Sequence, residues 1–267
     1  MGHSTILLTP RNKQRVGFAI LAICTVVTVL PIIALGIYIL VQGLPGISWE
    51  FITRMPSDGM RAGGILPAIL GTFYLTLGTA LFSIPPGIAA AIYLAEYAGD
   101  TRATRLIRIA MINLAGIPSV VYGLFGLGLF VLFLQFGTSI LAASLTLSIM
   151  TLPVIISTAE EALRSVPVSF RVVSISLGAS KWQTVWRIVL PQALPGIITG
   201  CILGLERAAG ETAPILFTGA AFFLPRLPQS PFDPTMALPY HLFVISTQVP
   251  GMPVITGIPG TWVEMTN

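Results

Sequence analysis

Five stretches of this chain, residues 16–41, 66–97, 107–136, 140–158 and 192–218, are too apolar and too long to be elements of a water-soluble fold. A helix that crosses the hydrocarbon of a bilayer needs about 20 mostly apolar residues, and each stretch supplies close to that or more. The composition agrees: 54% of the 267 residues are hydrophobic and 9% are charged. An ordinary soluble domain is roughly 25% charged. The fold class is therefore an all-α integral membrane protein, a polytopic helical bundle with five visible spans. The formal charge of +4 comes from Lys and Arg gathered in a few loops, with no basic stripe interleaved with aromatics. Nucleic acid is not an expected partner. Cys24 and Cys201 fall inside apolar runs and read as small buried hydrophobes. Neither His3 nor His241 has a second ligand at metal spacing, so no metal and no cofactor is expected.

The first run follows Arg11, Lys13 and Arg15. It is far longer than the roughly 7–15-residue core of a signal peptide and lacks a small-residue cleavage site, so it reads as an uncleaved spanning helix. The second and third runs are too long for one straight helix, and Pro85-Pro86 and Pro118 mark expected kinks or breaks. An N-terminus inside the cell places Arg11, Lys13, Arg15, Arg102, Arg105, Arg108, Arg164, Arg171, Lys181 and Arg187 in the cytoplasm. Only Arg54, Arg61 and Arg226 then lie outside, and this asymmetry sets the orientation. The expected organisation has three parts. Residues 1–64 form a cytoplasmic segment, the first span and an external loop; residues 65–218 form the core, with a cytoplasmic loop at 159–191. Residues 219–267 form an external Pro-rich tail whose one apolar stretch, "HLFVISTQV", is too short to span.

The cytoplasmic loop carries a pattern of its own. Phe170, Val173 and Leu177 recur at helical spacing before Gly178, and Trp182, Val185, Trp186 and Val189 do so after it. Two short amphipathic helices joined at Gly178 fit this pattern, with Ser180 able to cap the second. Glycine at the junction permits the positive φ of a helix end and the close approach of a partner. A pair of helices lying on the membrane surface fits it too. No phosphate-cradling G-x-x-x-x-G-K-[ST] is present, and Gly123, Gly126 and Gly128 read as close-packing residues. Any nucleotide belongs to another subunit.

Gly178, nine residues, then Ile188-Val189-Leu190-Pro191 resembles the glycine and I-x-LP end of the coupling loop in ABC importer membrane subunits. The positions of that loop's EAA residues hold Val172, Val173 and Ser174 instead. The resemblance implies that Leu177, Gly178, Ala179, Lys181, Trp182, Ile188, Leu190 and Pro191 dock into an ATPase subunit. Four longer segments, "GILPAILGTFYLTLGTALFSIPPGIAAAIYLAEYA", "AGIPSVVYGLFGL", "RAAGETAPILFTG" and "MALPYHLFVISTQVPG", are similar to the phosphate importer permease of the PstA type. That resemblance implies the type I importer permease fold and the translocation of inorganic phosphate across the cytoplasmic membrane. It also implies a homologous permease of the PstC type, a cytoplasmic ATPase dimer and an external phosphate-binding protein as partners, besides membrane lipid. The family has six spans, so a sixth is expected beyond about residue 260, where "GTWVEMTN" ends the chain.

"ERAAGETAP", residues 206–214, places Glu206, Arg207 and Glu211 inside the last apolar run. A charge at the centre of a spanning helix costs about 2.5–3.5 kcal/mol on insertion scales, which marks such residues as functional candidates. At about 1.5 Å per residue, Arg207 lies roughly 24 Å along the helix from Pro191, beyond the midplane and toward the outside. Arg207 and Glu211, four apart, share a helix face. They either neutralise one another or form an anion contact, with Arg207 presenting its planar donors to an oxyanion and Glu211 limiting its grip. In the second reading Gly210 leaves room, Thr212 offers a hydroxyl and Pro214 loosens the helix. Arg164 reads as a second anion contact on the exit side or, in preference, as an anchor paired with Glu160 and Glu161. An ion-coupled secondary transporter for an oxyanion is the alternative function, although no matched pair of broken repeats supports it. An enzyme would need a nucleophile–base or metal cluster, and none is visible.

Overall fold

The computed structural model describes residues 10–60, 62–224 and 226–248, together with the strand residues 254–255 and 262–263. His3, Arg61 and, apart from Trp262 and Val263, the closing "GTWVEMTN" lie outside the described residues. The chain forms two units. The first holds α1 (Pro10–Gly43), whose 34 residues pass Pro31 without a break, and an antiparallel pairing of Val254–Ile255 with Trp262–Val263. At about 1.5 Å per residue α1 is long enough to cross a bilayer. Cys24, on α1, is exposed. A short helix, α2 (Trp49–Thr53), leads on from it.

The second unit is a bundle built around its most buried helix. In chain order it comprises α3 (Leu66–Ile92), closed by a π turn at Tyr93–Tyr97, then α4 (Arg102–Ala115) and α5 (Ser119–Gly126), which continues as a π segment to Phe133. There follow α6 (Ile140–Ser165), α7 (Val168–Ser176) and α8 (Lys181–Thr184), the last running through a π turn at Val185–Val189 into α9 (Leu190–Gly210). Two short helices, α10 (Ala213–Thr218) and α11 (Leu238–Thr247), complete it. Among the described residues four helices are long and apolar enough to cross a membrane, or five if the bent pair α4–α5 is one span.

α6 packs against α3, α5, α9 and α10. Small side chains make this possible. Ala142, Ala143, Ser144, Ser148 and Ala159 of α6 are buried, and Gly78 of α3 backs onto Ser144. Gly196, Gly200 and Gly204 of α9 meet Ala162, Thr158 and Ile155 in turn. A four-residue spacing keeps the three glycines on one face. Lipid tails are as apolar as Leu, so helices in a bilayer are held by such close contact rather than by escape from water. Two apolar clusters result: Ile155, Leu163, Val185, Val189 and Ile197 at the arginine-rich end, and Leu75, Leu147, Met150, Ile215, Met236 and Tyr240 toward the other.

Two expected features differ and one is present. Pro85-Pro86 does not break α3, which stays helical to Ile92. α6 holds it on both sides of the pair, through Ser148 Oγ donating to the Thr79 carbonyl and Ile155 lying against Gly87. The break expected at Pro118 is present: α4 and α5 meet there at 101°. Proline at 118 disfavours helical backbone at the residue before it, and the Leu114 carbonyl accepts from both the Ile117 N–H at 3.1 Å and the Tyr122 hydroxyl at 2.8 Å. The helix after Gly178 is not separate. It continues as α8–α9 to Gly210, the wider π turn accommodating the ring of Pro191 where an α turn would press it against the Arg187 carbonyl.

The segment after α10 returns to close the end of the bundle opposite the arginine-rich one. Asp233 and Pro231 carbonyls accept the Ile140 and Leu141 N–H groups, and the Ser139 hydroxyl accepts from Ala142. These satisfy the first-turn donors of α6 that no helical carbonyl can reach. Thr72 Oγ1 accepts from the Leu238 N–H at 2.8 Å, fastening the start of α11 to α3. The Asp233 carboxylate itself accepts from the Gln229 and Ser230 N–H groups. These bonds, with Arg226 nearby, hold its pKa below the usual carboxylate value.

Gly200→Val would push a methyl-bearing carbon into the Thr158 side chain. The expected loss is about 1–3 kcal/mol, typical of overpacking, read as a lowered Tm in detergent. Asp233 has a lowered folded pKa, so its contribution is present above the unfolded value of about 3.9 and is lost as pH falls through the folded one. Amide exchange at Gln229 and Ser230 is expected to accelerate on acidification into that range, and Asp233→Ala to give the fast rate at neutral pH.

Candidate functional site

α9 ends where its charges lie. Arg207 occupies the last turn of that helix, where the free carbonyls carry partial negative charge and favour a cation. Gly210 is the last helical residue, and Glu211 turns extended with ψ of 138°. The two charges do not share one helical face as expected. Glu211 lies past the helix end, its N–H bonded to the Ala208 carbonyl at 3.3 Å. Its carboxylate still reaches back, with Oε1 3.7 Å from Arg207 Nε. At that separation the pair attracts without a hydrogen bond. Among the described residues no hydrogen bond holds the guanidinium, and 41% of the Arg207 side chain is exposed while 17% of Glu211 is.

The neighbours leave this arginine open. Glu206 and Gly210 are exposed, and a side chain added at Gly210 would meet nothing within 4 Å. Thr212 is half-buried and begins α10, its carbonyl accepting from the Leu216 N–H at 3.0 Å. Pro214 is buried in the first turn of α10. Gly123 of α5 lies against Pro214 and Phe217, and Gly126 against Thr146 and Thr218. Gly128 touches nothing and does not share that packing role. The Tyr122 hydroxyl lies within electrostatic reach of Arg207. The structure thus gathers Arg207, Glu211, Thr212 and Gly210 around a break between α9 and α10, with Glu206 on the exposed side.

The loop at the opposite end is built from helix-end chemistry. Gly178 adopts φ of +85°, the left-handed conformation in which a side chain is strained. The Gly178 N–H donates to Ile175 and the Ala179 N–H to Ser174, the paired bonds of a glycine-terminated helix. Ser180 caps α8 by accepting from Gln183, whose side chain returns a bond to the Ser180 N–H. Ser174 and Thr184 hydroxyls, 2.9 Å apart, join the two arms from within. Of the positions matching the EAA residues, Val172 and Val173 are exposed and Ser174 is buried. Leu177, Gly178, Lys181, Trp182 and Pro191 are exposed, Ala179, Ile188 and Leu190 half-buried. Phe170, Ile175, Leu177 and Trp182 make an exposed apolar surface.

Sequence reasoning missed the ionic ties beneath this loop. Glu160 is buried and receives both Arg164, at 2.9 Å, and Arg108, at 2.8 Å. Arg171 pairs with Glu96 at 2.6 Å. The expected Arg164–Glu160 pairing is present, but Glu161 is exposed and has no partner among the described residues. The missed signal was a single acidic residue at the end of an apolar run, Glu96 in "LAEYA", which had to find a cation from elsewhere.

Residues 87–258 match the family model of the binding-protein-dependent transport system inner membrane component. The chain is 34% identical over 247 residues to the probable ABC transporter permease protein YqgI of Bacillus subtilis (strain 168), covering 88% of this chain and 84% of that one. It is 35% identical over 215 residues to the phosphate transport system permease protein PstA 1 of Mycobacterium tuberculosis (strain ATCC 25618 / H37Rv), covering 79% and 70%. Over 198 residues it is 35% identical to PstA of Xylella fastidiosa (strain 9a5c), covering 74% and 68%. A solved structure of the MetNI methionine ABC transporter in inward-facing conformations shares the fold, with a TM-score of 0.50, 19% identity, and 57% of this chain and 72% of that one covered. This chain, a multi-pass membrane protein of importer-permease fold, belongs to the family of binding-protein-dependent transport system inner membrane components.

Proposed function

We propose that the chain is the permease subunit through which an ATP-driven importer passes inorganic phosphate into the cell. The observation that carries this reading is one continuous helix, residues 181–210, with an exposed apolar loop at its start and a half-exposed arginine in its last turn. Such a helix joins a docking surface to an anion contact across the thickness of a membrane. The relatives named as phosphate transport permeases supply the substrate. An exposed apolar surface beyond the ends of the spans marks a partner interface. The partner assigned to it is a cytoplasmic ATPase dimer, docked through Leu177, Gly178, Ala179, Lys181, Trp182, Ile188, Leu190 and Pro191. Residues 65–218 act as the core permease domain, with the arginine-rich end in the cytoplasm and residues 219–248 outside, facing an external phosphate-binding protein.

A second permease of the PstC type completes the pathway, and the exposed side of α9 bearing Glu206 and Arg207 faces the interface between the two. Arg207 meets phosphate with a fork of donors that match two oxygens. Glu211 sets a counter-charge beside it, so that binding is weak enough to release. Thr212 and Gly210 provide a hydroxyl and free space at the helix break.

Exchange of the two charges separates anion contact from simple pairing. Arg207→Glu with Glu211→Arg keeps an ion pair but moves the guanidinium off α9 and past its break. ATP-dependent phosphate uptake, normalised to assembled complex in proteoliposomes, is expected to stay lost in the exchanged protein. Arg207→Lys is expected to lower it by roughly tenfold or more, since a hydrogen bond to a charged group is worth about 1.5–3 kcal/mol. Substantial uptake in the exchanged protein would leave Arg207 a structural ion, and uptake driven by an ion gradient without ATP would make the chain a secondary transporter.

The loop is tested at its turn. Gly178→Phe strains the left-handed turn by about 1–2 kcal/mol and projects a ring where the present surface is open. The expected result is an inserted permease that no longer co-purifies the ATPase, or hydrolysis that no longer drives uptake. Normal coupled uptake in this variant would remove the docking assignment.

A further inference from the structure

The π turn Tyr93–Tyr97 that closes α3 is held from four directions by cations. Leu94 is buried, and its carbonyl accepts from Arg108 of α4 at 3.4 Å and Arg164 of α6 at 3.3 Å. Those two arginines also share Glu160 Oε1, so the turn is fixed to the bundle. Two of its side chains are tied to the loop instead. Glu96, 8% exposed, receives Nε and Nη2 of Arg171 on α7. Tyr97 lies under Lys181 of α8, whose ammonium is 5.1 Å from the ring centroid. Both arms of the loop, on either side of Gly178, therefore grip one five-residue turn.

We infer that this π turn passes movement of the loop into α3, and that Glu96 and Arg171 are the positioning residues that couple ATP hydrolysis to transport. The inference rests on the reading of the loop as the docking site of the ATPase.

The geometry of Arg171 favours transmission over a passive anchor. Its remaining Nη1 and Nη2 donors cap the Val166 and Leu163 carbonyls at 2.6 and 2.8 Å, the free acceptors at the end of α6. One planar guanidinium thus fixes three elements in a single orientation, and α7 cannot shift without drawing Glu96 or breaking a shielded ion pair. A π turn is rare and recurs at functional sites. Beyond it α3 is an unbroken rod to the outer end, where Thr72 holds the Leu238 N–H. α9 is continuous with α8 and gives the loop a first route across the bilayer; the Glu96–Arg171 clasp adds a second, through α3.

The test uses the whole transporter, assembled with its partner subunits in liposomes, and reads phosphate taken up per ATP hydrolysed. Glu96→Gln is expected to retain the ATPase and its hydrolysis while that ratio falls by about fivefold or more, the lower end of coupling between sites. Glu96→Arg combined with Arg171→Glu restores the pair and is expected to recover most of the ratio. An unchanged ratio in Glu96→Gln overturns the inference, as does an assembled reversal protein as uncoupled as the single variant. If Glu96→Gln does not assemble, the reversal protein decides: a near-normal ratio supports coupling, and failure to assemble or to couple makes the clasp a folding device and overturns it. A wild-type complex without ATP-driven phosphate uptake would refute the underlying function instead. Coupled wild type beside coupled Glu96→Gln refutes only the clasp.

Discussion

In hydrocarbon, a backbone N–H or C=O without a partner finds no water to replace it, and each such group costs several kcal/mol. Helices solve this along their length and leave it unsolved at their ends. Much of the polar chemistry of this chain is placed at those ends. The Tyr122 hydroxyl closes α4 at Leu114, and Arg108 and Arg164 close the π turn at Leu94. Arg171 closes α6 at Leu163 and Val166. At its other end α6 is satisfied by Ser139 and by the carbonyls of Pro231 and Asp233. In a chain with 9% charged residues, few side chains are available for this task. Arginine suits it, because one group caps a carbonyl and pairs with a carboxylate together.

Packing between those ends follows from backbone proximity. Glycine at 196, 200 and 204 lets α9 lie directly on α6, and glycine at 123 and 126 does the same for α5 against α10 and α6. The consequence is a bundle whose helices touch backbone to side chain with little between them. From Lys181 to Gly210 the helix is continuous, so under the proposed function a push on the loop would reach the break at Glu211 along it.

The apolar runs were legible because their signal is a sum over about 20 residues, and the turn at Gly178 because a glycine and the capping Ser180 are local chemistry. Breaks were harder. Three prolines carried similar weight in the sequence, yet Pro85 and Pro86 sit inside a continuous helix and Pro118 starts a 101° bend. The difference lies in the neighbours: α6 braces α3 on both sides of the proline pair, whereas Tyr122 rewards the bend. No window along the chain records that. Glu96 and Arg171, 75 positions apart, were likewise invisible as a pair. Arg207 was visible as an anomaly, but its half-exposure and the end of its helix at Gly210 were not.

The placement of that anomaly also explains how the chain tolerates it. In the middle of α9 an arginine would face hydrocarbon and the neutral midsection of a helix. In the last turn it meets the negative end of the helix dipole and a carboxylate that the extended backbone at Glu211 turns toward it. The break is thus part of what makes the charge affordable, because a continued helix would bury the carbonyls that now attract the guanidinium. A cation stabilised by partial charges and a counter-ion at 3.7 Å, rather than by strong hydrogen bonds, keeps its donors available. Under the proposed function, this is the partner a transported anion needs, attractive enough to enter and weak enough to leave.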